Sequence, residues 1–193
     1  MKLLGSLTSP YARKLRVIAS ELQLPVTWVE TAAMEDPAAL LAVNPLGKVP
    51  VLVLDDGEAL FDSPVIAGYL FSLVPGQALF PTSGMAHWQA RTTEAIADGI
   101  LDAALTLRFN AGQGVTSGGW VDRQYRAIDR GLAALAGRIG DGVTYAELCA
   151  VVVCEYLDLR FASIDWRGAQ PKLAALHTRL ADRASLLESR PPG

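Results

Sequence analysis

The sequence predicts an α/β domain of order βαβαββα followed by an all-helical domain, and three observations predict it. Leu3-Leu4-Gly5-Ser6-Leu7 and Val26-Thr27-Trp28-Val29-Glu30 are short strand-like runs on either side of a helical pattern, the sequence form of a right-handed parallel unit. Asp55-Asp56-Gly57 is a hairpin turn signal between two further strand-like runs, Val49 to Leu54 and Glu58 to Phe61. From Pro75 to Gly84 the chain has turn residues at both ends and no periodicity; beyond it strand signals stop and long helical patterns take over. The expected division is a first domain at residues 1–75, a linker at 76–84 and a helical domain at 85–193.

Each element has a local cause. Ser9-Pro10 joins an N-cap hydroxyl to a proline at the first helical position, so a helix starts there and runs to about Leu22. Leu15, Ile18 and Leu22 recur at helical spacing, while Arg13, Lys14 and Arg16 mostly take the other side, read here as a solvated basic face. Asp36-Pro37 is expected to cap a short helix, and Ser63-Pro64 repeats the start signal for a helix reaching Val74. In the helical domain the expected elements are Met85 to about Asn110, a flexible loop at Gly112 to Gly119, and a helix to about Arg138. Thr144-Tyr145-Ala146-Glu147 is a capping box, and it opens a helix to about Arg160 so apolar all round that its neighbours must bury it. A last helix is expected from Pro171 to about Leu187, ahead of a short polar tail.

Composition removes several classes of function. With 51% hydrophobic and 19% charged residues in 193, the chain has ample core, which argues against disorder. Its 17 basic and 20 acidic residues give −3 without long runs of one sign, which argues against a nucleic-acid surface. Cys149 and Cys154 sit in an apolar run and read as small core hydrophobes; His87 and His177 are isolated, so no metal site is expected. The apolar opening is broken by Gly5, Ser6, Thr8 and Ser9, unlike a secretory signal, and no run approaches the ~18–20 residues of a membrane span. A cytoplasmic protein without membrane or nucleic-acid partners is the expectation.

The chemistry concentrates in Asn44-Pro45-Leu46-Gly47-Lys48-Val49-Pro50-Val51-Leu52 and Phe61-Asp62-Ser63-Pro64-Val65-Ile66. Pro50 holds Val49 extended and can adopt the cis isomer where a tight turn demands it. A strand starting this way leaves the Val49 N–H and C=O for an extended peptide to dock as an added antiparallel strand. The helix start at Ser63 offers free N–H groups to a carboxylate, and Asp62 beside it offers a charge to an amine. One ligand suits both halves: a short peptide carrying an amine and a carboxylate on one carbon.

Asn-Pro-x-Gly-Lys-Val-Pro followed by Asp-Ser-x-x-Ile resembles the glutathione-binding motif of the glutathione transferase superfamily, whose second part usually reads Glu/Gln-Ser-x-Ala-Ile; Asp62 is one carbon shorter than the usual Glu. Thr8-Ser9-Pro10-Tyr11-Ala12-Arg13-Lys14 looks like that family's first active-site turn, and the capping box resembles its Ser/Thr-x-x-Asp motif with Glu147 in the last place. The resemblance covers nearly the whole chain. It implies a thioredoxin-like first domain, an all-helical second, and a twofold homodimer. The chain ends early for this family, so a C-terminal segment that often covers the substrate pocket is expected to be small or missing.

The resemblance also implies roles. Glutathione would be the co-substrate, held by Lys48, Val49, Pro50, Asp62 and Ser63, with Lys48 reaching the glycine carboxylate; an exposed loop lysine is the alternative. Catalysis means supplying a thiolate at neutral pH, where a free thiol of pKa about 8.5 is only slightly ionised. Ser9 matches the reactive cysteine in Cys-Pro-x-Ala-x-Arg and Thr8 the serine of several serine-type classes, so Ser9 is the catalytic candidate and Thr8 its alternative. Ser9 as a mere helix cap is the competing reading. With no cysteine at positions 8 to 11, mixed-disulfide chemistry is disfavoured. Tyr11, Arg108, Phe109 and Tyr156 are candidates for the electrophile pocket, with core or surface roles as the alternative, and Asp98 is either a solvated charge or a contact across a dimer. The expected function is conjugation of glutathione to small hydrophobic electrophiles. A non-catalytic glutathione binder or a protein-interaction member of the superfamily is the alternative.

Overall fold

The computed structural model describes residues 1–192. Two compact units form: one contains Met1–Ala78 together with the segment from Asp182 onward, the other Leu79–Ala181. In the first unit the order is β1 (Lys2–Gly5), α1 (Pro10–Glu21), β2 (Thr27–Glu30), a short turn of 3-10 helix (Ala33–Glu35), α2 (Ala38–Leu41), β3 (Val51–Val53), β4 (Ala59–Leu60) and α3 (Ser63–Ser72). The sheet runs β2-β1-β3-β4. β1 is parallel to β2, while β1 with β3 and β3 with β4 are antiparallel. This is the thioredoxin-like half expected from the resemblance.

Leu3, Val51 and Leu52 from the sheet and Leu15, Ile18, Ile66 and Leu70 from the helices are all at most 1% exposed. Burying each such side chain contributes about 1.5–3 kcal/mol. Gly5 governs how closely α1 approaches, because a Cβ there would lie 2.6 Å from both the Ala12 Cβ and the Trp28 ring. Any side chain at Gly5 would push α1, and the helix start it carries, away from the sheet.

In the other unit, α4 (Gly84–Gly112), α5 (Gly119–Ala136) and α6 (Tyr145–Arg160) are followed by α7 (Trp166–Ala169) and α8 (Pro171–Leu180). Every residue of α6 from Tyr145 to Leu157 is buried except Ala146, which is half-buried. The capping box forms as read, with Thr144 N–H donating to Glu147 Oε2 at 2.9 Å. Glu147 Oε1 also accepts the Gly140 N–H at 2.8 Å, fixing the preceding loop. Glu94 of α4 is buried, and its carboxylate is matched by the Tyr145 hydroxyl at 2.6 Å and Arg91 Nη1 at 2.8 Å. Burial next to this carboxylate pushes the Tyr145 phenol well up.

Several expectations need correction. The last helix is interrupted: α8 stops at Leu180 and a separate α9 (Ala184–Glu188) follows, with Arg183 extended between them and its guanidinium on Glu21 of α1. The residues from Asp182 onward therefore pack in the first unit, not with the helical domain to which the division at residue 85 assigned them. The basic face of α1 is not solvated, since Arg13 and Lys14 are 3% and 2% exposed. At Asp36-Pro37 a short helix does begin, with Pro37 at the N-cap of α2 and no side-chain bond, while Asp36, left-handed at φ 46°, is the C-cap of the 3-10 turn before it. Ser63 is the first residue of α3, with Asp62 at the N-cap. The true start lies one residue earlier because Ile66 N–H finds the Asp62 carbonyl at 3.0 Å.

Candidate functional site

Strand register brings the separated motifs to one end of the sheet. Leu4 near the end of β1 pairs with Val51 at the start of β3, and Leu60 at the end of β4 pairs with Leu52. The turn after β1 (Thr8, Ser9), the loop before β3 (Lys48, Val49, Pro50) and the start of α3 (Asp62, Ser63) therefore emerge side by side, although up to 55 positions separate them (63 − 8). Tyr11 follows on the first turn of α1, half-buried.

At the α1 start, Ser9 is the N-cap with φ −75° and ψ 116°. Its Oγ accepts the Ala12 N–H at 3.3 Å, and its carbonyl accepts the Arg13 N–H at 3.0 Å. A hydroxyl has one donor and two acceptor positions, so the cap bond leaves the O–H proton available to a ligand. Thr8 lies one residue upstream in the turn, half-buried. The turn is held at Leu7, whose N–H donates to Glu30 Oε1 at 3.2 Å.

The loop before β3 is built by Asn44, a buried residue whose side chain makes two bonds. Its Nδ2 donates to the Lys48 carbonyl at 2.8 Å, and its Oδ1 accepts the Leu46 N–H at 3.0 Å. Gly47 turns the chain at φ +62°, a conformation that favours glycine. The Val49–Pro50 peptide bond is cis. Val49 takes part in no backbone hydrogen bond among the described residues, so its N–H and C=O are open to an added strand. The Lys48 side chain is exposed. Sequence reasoning assigned no role to Asn44 or Glu30. An asparagine before proline, three residues ahead of a glycine, is the turn signal that pointed to the first; nothing local pointed to the second.

At the α3 start Pro64 has no N–H, and the N–H groups of Ser63 and Val65 are orphan donors of a helix end. The Ser63 side chain is buried, yet its hydroxyl makes no hydrogen bond among the described residues. Asp62 is exposed beside it, and although it stands at the N-cap its side chain makes no cap bond. This end thus offers two backbone donors and a hydroxyl to an anion, and a carboxylate to a cation.

The remaining candidates belong to the helical unit. Arg108 and Phe109 are exposed on α4. Tyr156 on α6 is 3% exposed, and its hydroxyl has no hydrogen-bond partner among the described residues. Burial raises its pKa, with the Arg108 charge pulling the other way. Asp98 is half-buried on α4. Cys149 and Cys154 are buried and form no disulfide, and burial pushes the Cys154 thiol far up, which disfavours its thiolate. Among the described residues no group of three His, Cys, Asp or Glu could hold a metal, and no helix is long and apolar enough to cross a membrane. Two cavities lie away from the motifs: about 190 Å³ beside Arg16 and Trp28, and about 400 Å³ beside Tyr125 and Trp166.

A mixed four-stranded sheet with a cis-proline loop and two open helix starts at one end, followed by a helical unit, defines the class of thioredoxin-like domains joined to an all-α partner. Comparison with known proteins makes the class specific. The glutathione S-transferase N-terminal domain model matches residues 3–78 and the C-terminal domain model residues 118–179. The chain belongs to the glutathione S-transferase family. It is 34% identical over 200 residues to the uncharacterized GST-like protein YibF of Escherichia coli (strain K12), across 100% of this chain and 99% of that one. A glutathione S-transferase from Methylobacillus flagellatus KT, crystallised with glutathione bound, is 35% identical, covers 99% of each chain and superposes with a TM-score of 0.92. One from Methylobacterium radiotolerans in complex with glutathione sulfonate is 34% identical, covers 100% of this chain and 95% of that one, and has the same TM-score of 0.92.

Proposed function

We propose that this protein is a glutathione transferase in which Ser9 activates the thiol of bound glutathione for attack on small hydrophobic electrophiles. The observation that carries the reading is the Ser9 hydroxyl: it accepts the Ala12 N–H at the start of α1 and keeps its O–H to donate to a ligand there. A hydrogen bond donated to sulfur favours the thiolate over the thiol, and the positive end of α1 acts in the same direction. Thr8 is not tied to the helix start and is the lesser candidate.

The rest of the peptide would be held by the loop before β3 and the start of α3. Val49 would add the ligand as a strand, Pro50 fixes the loop, and Lys48 would meet the glycine carboxylate. Ser63 and the first N–H groups of α3 would take the other carboxylate, and Asp62 the amine. The glutathione and glutathione sulfonate in the two similar crystal structures support this choice of ligand. In the reaction the thiol loses its proton, the sulfur forms a bond to the electrophilic carbon, and any leaving group departs with the bonding pair. Tyr11 is a proposed contact for the electrophile.

Titrating the bound thiol by its thiolate absorbance tests the assignment. The expected midpoint lies below the free value of about 8.5, and Ser9→Ala returns it there with glutathione affinity within twofold. Thr8→Ala does much less. An unshifted thiol in the parent despite saturable binding makes the protein a glutathione binder rather than a transferase. A sensitive Thr8 with a silent Ser9 moves the role one residue upstream. The proposed homodimer is checked by light scattering at micromolar concentration, where the 20.6 kDa monomer mass refutes it.

A further inference from the structure

The C-terminal segment lies along α1 in the opposite direction and is fastened at both of its ends. At the far end of α1, Glu21 receives Arg183 Nε and Nη2, both at 2.5 Å, and the Ser185 hydroxyl. Near the start, Arg13 Nε donates to Ser189 Oγ at 3.3 Å and Nη2 to the Leu186 carbonyl at 3.2 Å. One turn on, Arg16 donates to the carbonyls of Ser189 at 3.3 Å and Glu188 at 3.0 Å. The Leu186 and Glu188 carbonyls belong to α9 and the Ser189 carbonyl to its C-cap; the Leu186 carbonyl also accepts the Ser189 hydroxyl at 3.3 Å, and the two arginines of α1 add to this termination of α9. Leu186 and Ser189 are 0% and 2% exposed, so this is a packed joint.

The joint bears on Ser9 through a short path. The Arg13 N–H donates to the Ser9 carbonyl at 3.0 Å, and the Ala12 N–H to its hydroxyl at 3.3 Å, so the backbone of the first turn sets where the hydroxyl stands. Helix ends fray unless something outside the helix fixes the first turn. Here the fixing element is 173 to 176 residues away in sequence. We propose that Arg13 is a positioning residue for the Ser9 hydroxyl and acts through the docked C-terminal segment. The proposal rests on the assignment of Ser9 above. Arg13 itself touches no reacting atom; it holds the first turn of α1 in the geometry that aims the O–H at sulfur.

The test compares the full-length parent with Arg13→Met and Ser189→Ala by three measurements. The bound-thiol titration is expected to move up by about one pKa unit in Arg13→Met, a tenfold loss of thiolate below the midpoint. Calorimetric glutathione affinity should stay within twofold, and kcat should fall while KM for glutathione holds. Amide exchange at Ala12 and Arg13 should quicken. Ser189→Ala, which removes one partner and leaves Arg13 intact, should show the same changes at smaller size and decides the matter if Arg13→Met does not fold. A fall in Tm with unchanged titration and unchanged exchange at Ala12 makes Arg13 merely structural and overturns the proposal. If the parent thiol is unshifted, the Ser9 assignment fails by itself. Exchange at Ala12 then decides the positioning alone, and parental protection in both variants overturns it.

Discussion

The molecule contains Ser-Pro at two helix starts in its first unit and uses them in opposite ways. At α1 the serine is the N-cap: Ser9 Oγ accepts a backbone N–H and keeps a proton to donate. At α3 the serine is one residue inside the helix, Asp62 holds the N-cap without bonding, and the Ser63 hydroxyl and orphan N–H groups remain unspent. The first start suits a sulfur anion met by a single donor; the second suits a carboxylate that takes several. What differs is the register of the helix relative to the dipeptide. That register follows from which carbonyl the fourth N–H reaches: Ser9 for Arg13, Asp62 for Ile66.

Substitutions can break this contrast, and the largest effect is expected in affinity. Asp62→Ala and Ser63→Ala should each weaken glutathione binding by about 1.5–3 kcal/mol, roughly tenfold to a hundredfold, because each removes a hydrogen-bonding partner of a charged group. Calorimetric constants within twofold of the parent for both would remove the clamp from α3.

Stability sharpens the contrast further. Ser9→Ala deletes a cap and should cost about 1 kcal/mol in denaturant unfolding, whereas Ser63→Ala deletes none and should stay within about 0.5 kcal/mol. Equal losses would mean that the two serines serve their helices alike.

The smallest effect concerns the other end of α1. The hydrogen bond from Arg183 holds the Glu21 carboxyl below its usual range, with burial opposing and Ser185 assisting. A depressed carboxylate contributes stability above its unfolded pKa and loses it as pH falls through the folded one. The Tm advantage of the parent over Glu21→Gln should therefore be full at pH 7 and shrink once pH drops below the ordinary value of 4.5. An advantage that persists at pH 2 would show that the pair contributes nothing through its charge.

Much of this was legible in the residues. Ser9-Pro10, Asp55-Asp56-Gly57 and the Thr144–Glu147 box carry their instructions within four positions, and each formed where it was read. The α6 apolar run also declared its burial, since no face of it could meet water. Arg13 and Lys14 misled because amphipathic reading assigns charged residues to solvent, and here the partner of Arg13 lies near the far end of the chain. Asn44 was visible as a turn residue, but its bond to the Lys48 carbonyl is a matter of side-chain packing.

By itself the sequence determined the order of strands and helices in the first domain, the points where most helices begin, and the residue types able to hold a peptide with an amine and a carboxylate. The tertiary structure decided which of those residues share one end of a sheet, because antiparallel register alone joins Leu4 to Val51 and Leu52 to Leu60. It also decided that the last helix breaks and returns to α1, since the contacts of Glu21 and Arg13 with that segment span more than 160 residues and no local preference encodes them. Helix starts and turns are settled by bonds within a few residues; the fate of a buried charge is settled by whatever the fold brings to it.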